Sequence, residues 1–285
     1  MNSHIKEKFM SIVFLTCACV AIAAVALICL FLFKNGIPAM KEIGLFDFLL
    51  GENWAPSDAP ASYGIFPMIM GSIYVTVGAI IVGVPIGILT AIYMAKYCPP
   101  KLYKILKPAV DLLAGIPSII YGFFGLVVLV PLIRDIFGGT GFSILAASIL
   151  LGIMILPTII AISESAIRAV PKSYYEGSLA LGATHERSIF RTVLPAAKSG
   201  ILAGIVLGIG RAIGETMAVI MVAGNQARMP IDVLSGVRTM TANIVIEMGY
   251  AADLHREALI ATGVVLFVFI LLINVIFAVI KRRIN

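Results

Sequence analysis

Six runs of apolar and small residues, at roughly 9–33, 66–95, 109–133, 142–162, 199–223 and 258–280, are each long enough to cross about 30 Å of hydrocarbon as a helix. The polar segments between them are too short for an additional large soluble domain. Of the 285 residues, 60% are hydrophobic and 13% charged. A soluble domain runs to about half apolar and a quarter charged, so the bilayer is the expected solvent. The expected fold class is all-α: a polytopic membrane protein of six transmembrane helices. Residues 1–65 form an N-terminal transmembrane helix with an external loop. Residues 66–285 form the main transmembrane domain, interrupted by a cytoplasmic loop at 163–198.

Charge placement orients this arrangement. With the N-terminus cytoplasmic, the inside segments hold fourteen of the 21 basic residues, the outside segments six, and the membrane Arg211. An excess of Lys and Arg marks the cytoplasmic side, which puts both termini inside a cell membrane. The net charge of +6 then reflects topology and needs no nucleic acid to explain it. Lys6 and Lys8 before the first run, and Ala21-Ile22-Ala23 within it, resemble a signal peptide. The run's length, about 25 residues, suits an uncleaved span better. Lys281, Arg282 and Arg283 read as a stop-transfer flank.

Catalytic groupings do not emerge from the sequence. His4, His185 and His255 are scattered over polar segments and read as surface histidines, with no triad and no metal set. Cys17, Cys19, Cys29 and Cys98 follow neither metal nor disulfide spacing and read as packing residues. No Gly-x-x-x-x-Gly-Lys-Ser/Thr loop is present, so the chain itself is not expected to hydrolyse ATP, and no cofactor is expected.

Arg211 and Glu215 interrupt the fifth run. Ionisable groups at membrane depth cost from about 3 to over 10 kcal/mol each and usually persist for function. At 100° per residue, Gly200, Gly204, Gly208, Arg211 and Glu215 share one narrow face of a continuous helix. Small residues mark faces where helices approach closely, so the pair is expected to face protein or an aqueous path. Two readings are open. The pair neutralises itself as an intrahelical ion pair, or the guanidinium offers its planar fork of donors to a passing oxyanion.

Gly83, Pro85 and Gly87, then Gly115, Pro117, Gly122 and Gly125, then Gly152 and Pro157, predict bent helices. Ser72, Thr76, Ser118 and Tyr121 place hydroxyls at depth, where most bond to neighbouring helices; Ser118 and Tyr121 are candidates to line a path. Asp111 reads as a wet helix end, with gating as the alternative. Trp54 reads as an interface anchor in the external segment 34–64, which could also dock an external partner. Arg228 and Arg238 read as solvated loop charges, or as attractors for an anion. In the cytoplasmic segment, Pro171-Lys172-Ser173 starts a helix that Gly182 ends, and a second short helix runs from Thr184 to about Val193. Two short helices held between two spans make a rigid lever suited to a cytosolic partner.

That segment carries a resemblance. Glu176-Gly177-Ser178, Gly182 and Leu194-Pro195 match the spacing of the cytoplasmic loop signature of ABC importer permeases. The family pattern has Ala-Ala after the Glu and Ile two residues before the Leu; here these are Gly177, Ser178 and Thr192. The stretch 113–122 (LAGIPSIIYG) and Arg211-Ala212-Ile213-Gly214-Glu215-Thr216 resemble motifs of phosphate importer permeases. Trp54-Ala55-Pro56, then Tyr63-Gly64-Ile65-Phe66-Pro67, Tyr121-Gly122-Phe123 and Met217-Ala218-Val219, are similar to the PstC-type subunit. The resemblance covers about 54 to 225 well.

It implies a MetI-like, type I ABC importer permease fold and a set of partners: a second, PstA-type permease, a PstB-type ATPase dimer and an external PstS-type phosphate-binding protein, all assembled in membrane lipid. Glu176, Gly177 and Gly182 would belong to the coupling helix that docks in an ATPase groove. Arg211, Glu215, Ser118 and Tyr121 would line the substrate pathway. A permease for molybdate or sulfate, and a self-sufficient secondary anion transporter, are the alternatives. The latter predicts an internal repeat with paired broken helices, and no second copy of the 211–215 segment is evident.

Overall fold

The computed structural model describes residues 3–284, with side chains for residues 6–279. His4, Lys281, Arg282 and Arg283 lie outside the side chains so described. In chain order the elements are α1 (Ser3–Ile43), α2 (Leu45–Leu50), a two-stranded antiparallel hairpin of β1 (Trp54–Ala55) and β2 (Ser62–Tyr63), and α3 (Phe66–Ile92). Next come α4 (Pro100–Gly115), α5 (Ser118–Phe124), α6 (Val130–Phe137), α7 (Ile144–Ala169), α8 (Lys172–Ala180) and α9 (His185–Ser188). The last are α10 (Leu194–Gly214), α11 (Met217–Val222), α12 (Met240–Glu247) and α13 (Asp253–Ile284). Short π-helical stretches extend α3 (Tyr93–Tyr97) and join α5 to α6 (Gly125–Leu129) and α9 to α10 (Ile189–Val193).

Among the described residues, six helical stretches are long and apolar enough to cross a bilayer: Lys6–Ile43, Phe66–Tyr97, Ser118–Phe137, Ile144–Ala169, His185–Gly214 and Asp253–Val279. The chain is a multi-pass, all-α membrane protein. The central helix is α7, with α3 packed along one flank and α10 along another. Lipid is as apolar as leucine, so close packing rather than escape from water has to hold these helices. Gly83 shows how: a Cβ there would lie 2.8 Å from the Gly152 carbonyl oxygen and 2.7 Å from Ile155. The buried cluster of Leu150, Leu151, Met154, Ile155 and Ile159 grows from that approach. A second cluster joins the end of α1, the hairpin, α12 and α13 through Phe48, Trp54, Ile65, Met240 and Leu259.

Three boundaries differ from the sequence reading. The third run is not one helix over 109–133. Pro117 has no amide to donate to Leu113 and pushes Ile116 into extended backbone (ψ 125°), so the chain breaks into α4 and a span that starts at Ser118. The fourth span continues past 162 to Ala169, because Glu164, 2% exposed, is matched where it lies. It accepts from Arg168 Nε at 2.6 Å and from the Tyr103 hydroxyl at 2.7 Å, with Lys107 Nζ at 3.5 Å. This bond to the carboxylate holds the Tyr103 phenol above its ordinary pKa. Arg168 also donates to the Met94 carbonyl, tying α7 to the π-turn after α3. Asp111 is exposed and pairs with Lys107 at 3.2 Å, as a wet helix end should.

The fifth span is the third correction. It enters at His185 and passes Pro195 without a break, because the π-turn Ile189–Val193 just before the proline is a local adjustment that accommodates its missing amide. It then stops at Gly214, so the continuous helix expected to 223 does not form.

Candidate functional site

That stop separates Arg211 from Glu215. The glycine face itself forms as the wheel geometry predicts: a Cβ at Gly208 would lie 2.9 Å from Ile159, and one at Gly204 3.1 Å from Ser163, both on α7. Arg211, in the last turn of α10, points the same way and donates to Thr158 Oγ1 of α7 at 3.5 Å. The partial negative charge at a helix C-terminus favours a cation there. Glu215 leaves the face altogether. Its backbone is extended (φ −70°, ψ 133°), and its Oε1 accepts from the amides of Thr216 at 3.1 Å and Ala218 at 3.3 Å.

Glu215 therefore caps α11 instead of neutralising Arg211. Among the described residues no carboxylate lies within 4.0 Å of the Arg211 guanidinium, and the intrahelical ion pair is absent. A guanidinium carries five N–H donors, and one neutral hydroxyl occupies only one of them. Gly210 and Gly214 beside it are exposed, and beyond the flanking residues and helix backbone no atom lies within 4 Å of where a Cβ would stand on either. The result is a cation with spare donors at a break in a span, next to open space.

The two expected path hydroxyls divide. The Tyr121 hydroxyl does not face Arg211 as a free group but donates to the Leu113 carbonyl at 2.8 Å. That is the carbonyl that Pro117 leaves without its helical partner, so Tyr121 mends the break between α4 and α5. Ser118 begins α5, half-buried and without a hydrogen-bond partner among the described residues. Ser72 turns outward to structure: its Oγ accepts from the Met240 amide at 3.0 Å. Thr158 was not legible as a site residue, because a threonine one position after Pro157 carries no signal without the fold.

Trp54, Arg238 and His255, read as interfacial or solvated, instead meet in one buried cluster, while Arg228 is exposed as expected. Glu247, 5% exposed, takes Arg238 on Oε1 and both Trp54 Nε1 and His255 Nε2 on Oε2, each of the latter at 2.8 Å. Arg238 also donates to the Asn225 carbonyl and to Asn243 Oδ1, both at 3.0 Å. Trp54 is thus a core anchor, and neither Arg238 nor His255 is a free surface group. Thr241, on α12, donates to the Glu215 carbonyl at 3.1 Å, so the same short helix touches the break in the fifth span.

In the loop expected on the cytoplasmic side, α8 forms as read, but the second short helix does not stand apart: α9 and the π-turn after it run straight into the fifth span. Pro171 precedes α8, which ends in a Schellman motif: the Gly182 amide bonds Leu179 O at 2.8 Å and the Ala183 amide bonds Ser178 O at 3.2 Å. Gly182 has φ +85°, a region where an L side chain costs about 1–2 kcal/mol. Gly182→Val should fray the last turn of α8, seen as faster proteolysis after Leu181 with the spans still intact. Two of the three departures from the loop signature pair with one another, Thr192 Oγ1 lying 3.4 Å from Ser178 Oγ. A hydroxyl pair stands where the family pattern has two apolar side chains. Glu176 and Gly177 are exposed, as are Tyr174, Leu179 and Leu181, leaving an apolar surface with one carboxylate facing outward.

A six-span bundle around one central helix, with a broken fifth span and a short helix hung between the fourth and fifth, has the architecture of an importer permease. Two bacterial alginate ABC transporter structures carry this fold; one of them, solved with an alginate-pentasaccharide-bound periplasmic protein, superposes with a TM-score of 0.64 at 19% identity, covering 97% of each chain. A chain of the inward-facing MetNI methionine ABC transporter gives 0.57 at 23% identity, over 78% of this chain and 94% of that one. Residues 83–285 match the family described as binding-protein-dependent transport system inner membrane component, and the chain belongs to it.

Sequence relatives narrow the resemblance. A Bacillus subtilis protein named as the probable ABC transporter permease protein YqgH is 40% identical over 96% of this chain and 91% of its own length. The phosphate transport system permease protein PstC of Mesorhizobium japonicum is 35% identical over 89% of this chain and 83% of its own. A probable PstC of Methanocaldococcus jannaschii is 34% identical over 86% and 84%. The chain is an ABC importer permease of the MetI type, similar to PstC proteins.

Proposed function

We propose that this chain is the PstC-type permease subunit of an ATP-driven importer that moves inorganic phosphate across the cell membrane. The observation that carries this reading is Arg211: a guanidinium at a span break, beside open space, with no carboxylate to neutralise it among the described residues. A planar fork of donors suits an oxyanion, and phosphate offers matching acceptors. The PstC names of several relatives support phosphate as that oxyanion. Glu215 fixes the start of α11 and so the shape of the break; Ser118 lines the path, and Tyr121 holds its wall.

In this reading both termini are cytoplasmic, residues 1–65 form a peripheral first helix and external segment, and 66–285 form the translocating domain. A PstA-type permease pairs with it, a PstB-type ATPase dimer hydrolyses ATP beneath it, and a PstS-type protein delivers phosphate from outside. The exposed face of α8 around Glu176, Gly177 and Gly182 docks on the ATPase. ATP-driven closure then swings access from one side to the other.

A permease for molybdate or sulfate is the competing reading, because the Bacillus relative's name gives no substrate. Reconstituted importer should take up labelled phosphate, and a tenfold excess of molybdate or sulfate, about 1.4 kcal/mol in chemical potential, should leave uptake nearly unchanged. Strong inhibition by either, with little phosphate uptake, would reassign the substrate.

A further inference from the structure

Of the nine residues in α8, only Tyr175 and Ser178 are half-buried. Ser178 meets Thr192, at the entry of the fifth span. Tyr175 leads elsewhere. Its hydroxyl lies 2.6 Å from His185 Nδ1, and the two rings stand edge to face at 5.7 Å. The His185 ring in turn meets Tyr97 edge to face at 5.0 Å. Tyr97 is the last residue of the π-turn that ends the second span. Three rings thus run from α8, across the first residue of α9, to the helix packed along α7.

Among the described residues no other hydrogen bond, ion pair or ring contact leads from an α8 side chain toward the second span. A cleft of about 380 Å³ opens beside the rings, between Lys96, Pro171 and Glu176, so solid packing does not fill the gap. The apolar cluster of Ala91, Ile92, Ile167, Ile189 and Val193 lies alongside, and Tyr175 touches its edge. That cluster holds the spans together. The ring chain adds direction, because a phenol–imidazole hydrogen bond and edge-to-face contacts each fix an orientation.

We propose that His185 is a positioning residue for coupling: displacement of α8 reaches the second span through the Tyr175–His185–Tyr97 ring chain. This rests on the reading of α8 as the ATPase-docking helix. Tyr175 gives the push a fixed point on α8, and the imidazole passes it to Tyr97. Severing the chain leaves α8 seated on its partner but its motion poorly transmitted.

The test is phosphate transported per ATP hydrolysed by the assembled importer in vesicles, with ATPase copurification checking assembly. His185→Ala should lower that ratio about tenfold, within the usual range for coupling between linked sites, while ATP hydrolysis stays near wild type. His185→Asn keeps an acceptor for Tyr175 but loses the ring on Tyr97; His185→Phe keeps the rings but loses the acceptor. Each should give an intermediate ratio. Tyr175→Phe added to His185→Phe should cost nothing further, because the shared bond is already gone.

A wild-type ratio in His185→Ala would overturn the inference alone. So would a parallel loss of uptake and ATP hydrolysis in all three His185 variants, which would place His185 in docking. A wild-type importer that takes up no phosphate with ATP would overturn the functional reading, and this inference with it.

Discussion

Replacing Arg211 with alanine should cut ATP-driven phosphate uptake by about 100-fold, while ATPase subunits still copurify with the permease. Two charge-assisted hydrogen bonds contribute about 1.5–3 kcal/mol each when they are not screened by water, so a hundredfold loss is a conservative expectation. Assembly should survive because Arg211 makes a single hydrogen bond to protein, to Thr158, among the described residues. Arg211→Lys should recover part of the rate, since an ammonium keeps the charge and loses the planar fork. Glu215→Gln separates the competing roles. If Glu215 caps α11, a glutamine oxygen still accepts from the Thr216 and Ala218 amides and uptake should fall only a few-fold, by about the 1 kcal/mol of a cap. Were it the counter-ion of Arg211, the two variants would fail alike.

Glu247→Ala carries the largest expected loss of stability. It leaves Arg238 without its carboxylate and removes the acceptor of Trp54 and His255 at one stroke. Removing one partner of a buried ion pair costs about 3–5 kcal/mol. Arg238 retains 16% exposure and two further acceptors, which lowers the expectation to about 3 kcal/mol. Glu247→Gln keeps an oxygen for Trp54 and should cost about half as much, roughly 1–2 kcal/mol. Thermal unfolding of the purified permease, followed by tryptophan fluorescence, reads both. Trp54 is the only tryptophan and sits in the cluster, so the signal reports on the right place.

How far the sequence led depended on the range of the interaction. The six spans were legible because bilayer thickness acts on each segment by itself, and a run of apolar residues records it. The loop helix α8 was legible for the same reason: Pro171 and Gly182 punctuate it within a dozen residues. Wheel geometry also put Gly204, Gly208 and Arg211 on one face, which the fold packs on α7, because periodicity holds as long as the helix does.

It failed for Glu215, one turn further on, where nothing in Arg-Ala-Ile-Gly-Glu-Thr says that the helix ends at Gly214. What ends it is tertiary: Glu215 turns back to cap α11, and Thr241 takes its carbonyl. The Glu247 cluster was hidden more completely. Trp54 and Glu247 are 193 positions apart, and each looked ordinary among neighbours of its own. The same holds for His185, a surface histidine by local context and a junction between two helices in the fold. Pro117 gave a mixed result, since it announced a bend but not that Tyr121 would repair it.

The most direct measurement of the central claim is phosphate accumulation by sealed vesicles that carry the permease pair with its ATPase, supplied with the external binding protein. The account predicts uptake against a gradient that requires ATP on the coupling-helix side and binding protein on the other, and that is lost in Arg211→Ala. Accumulation driven by an ion gradient without ATP, or full uptake by the Arg211→Ala importer, would contradict it.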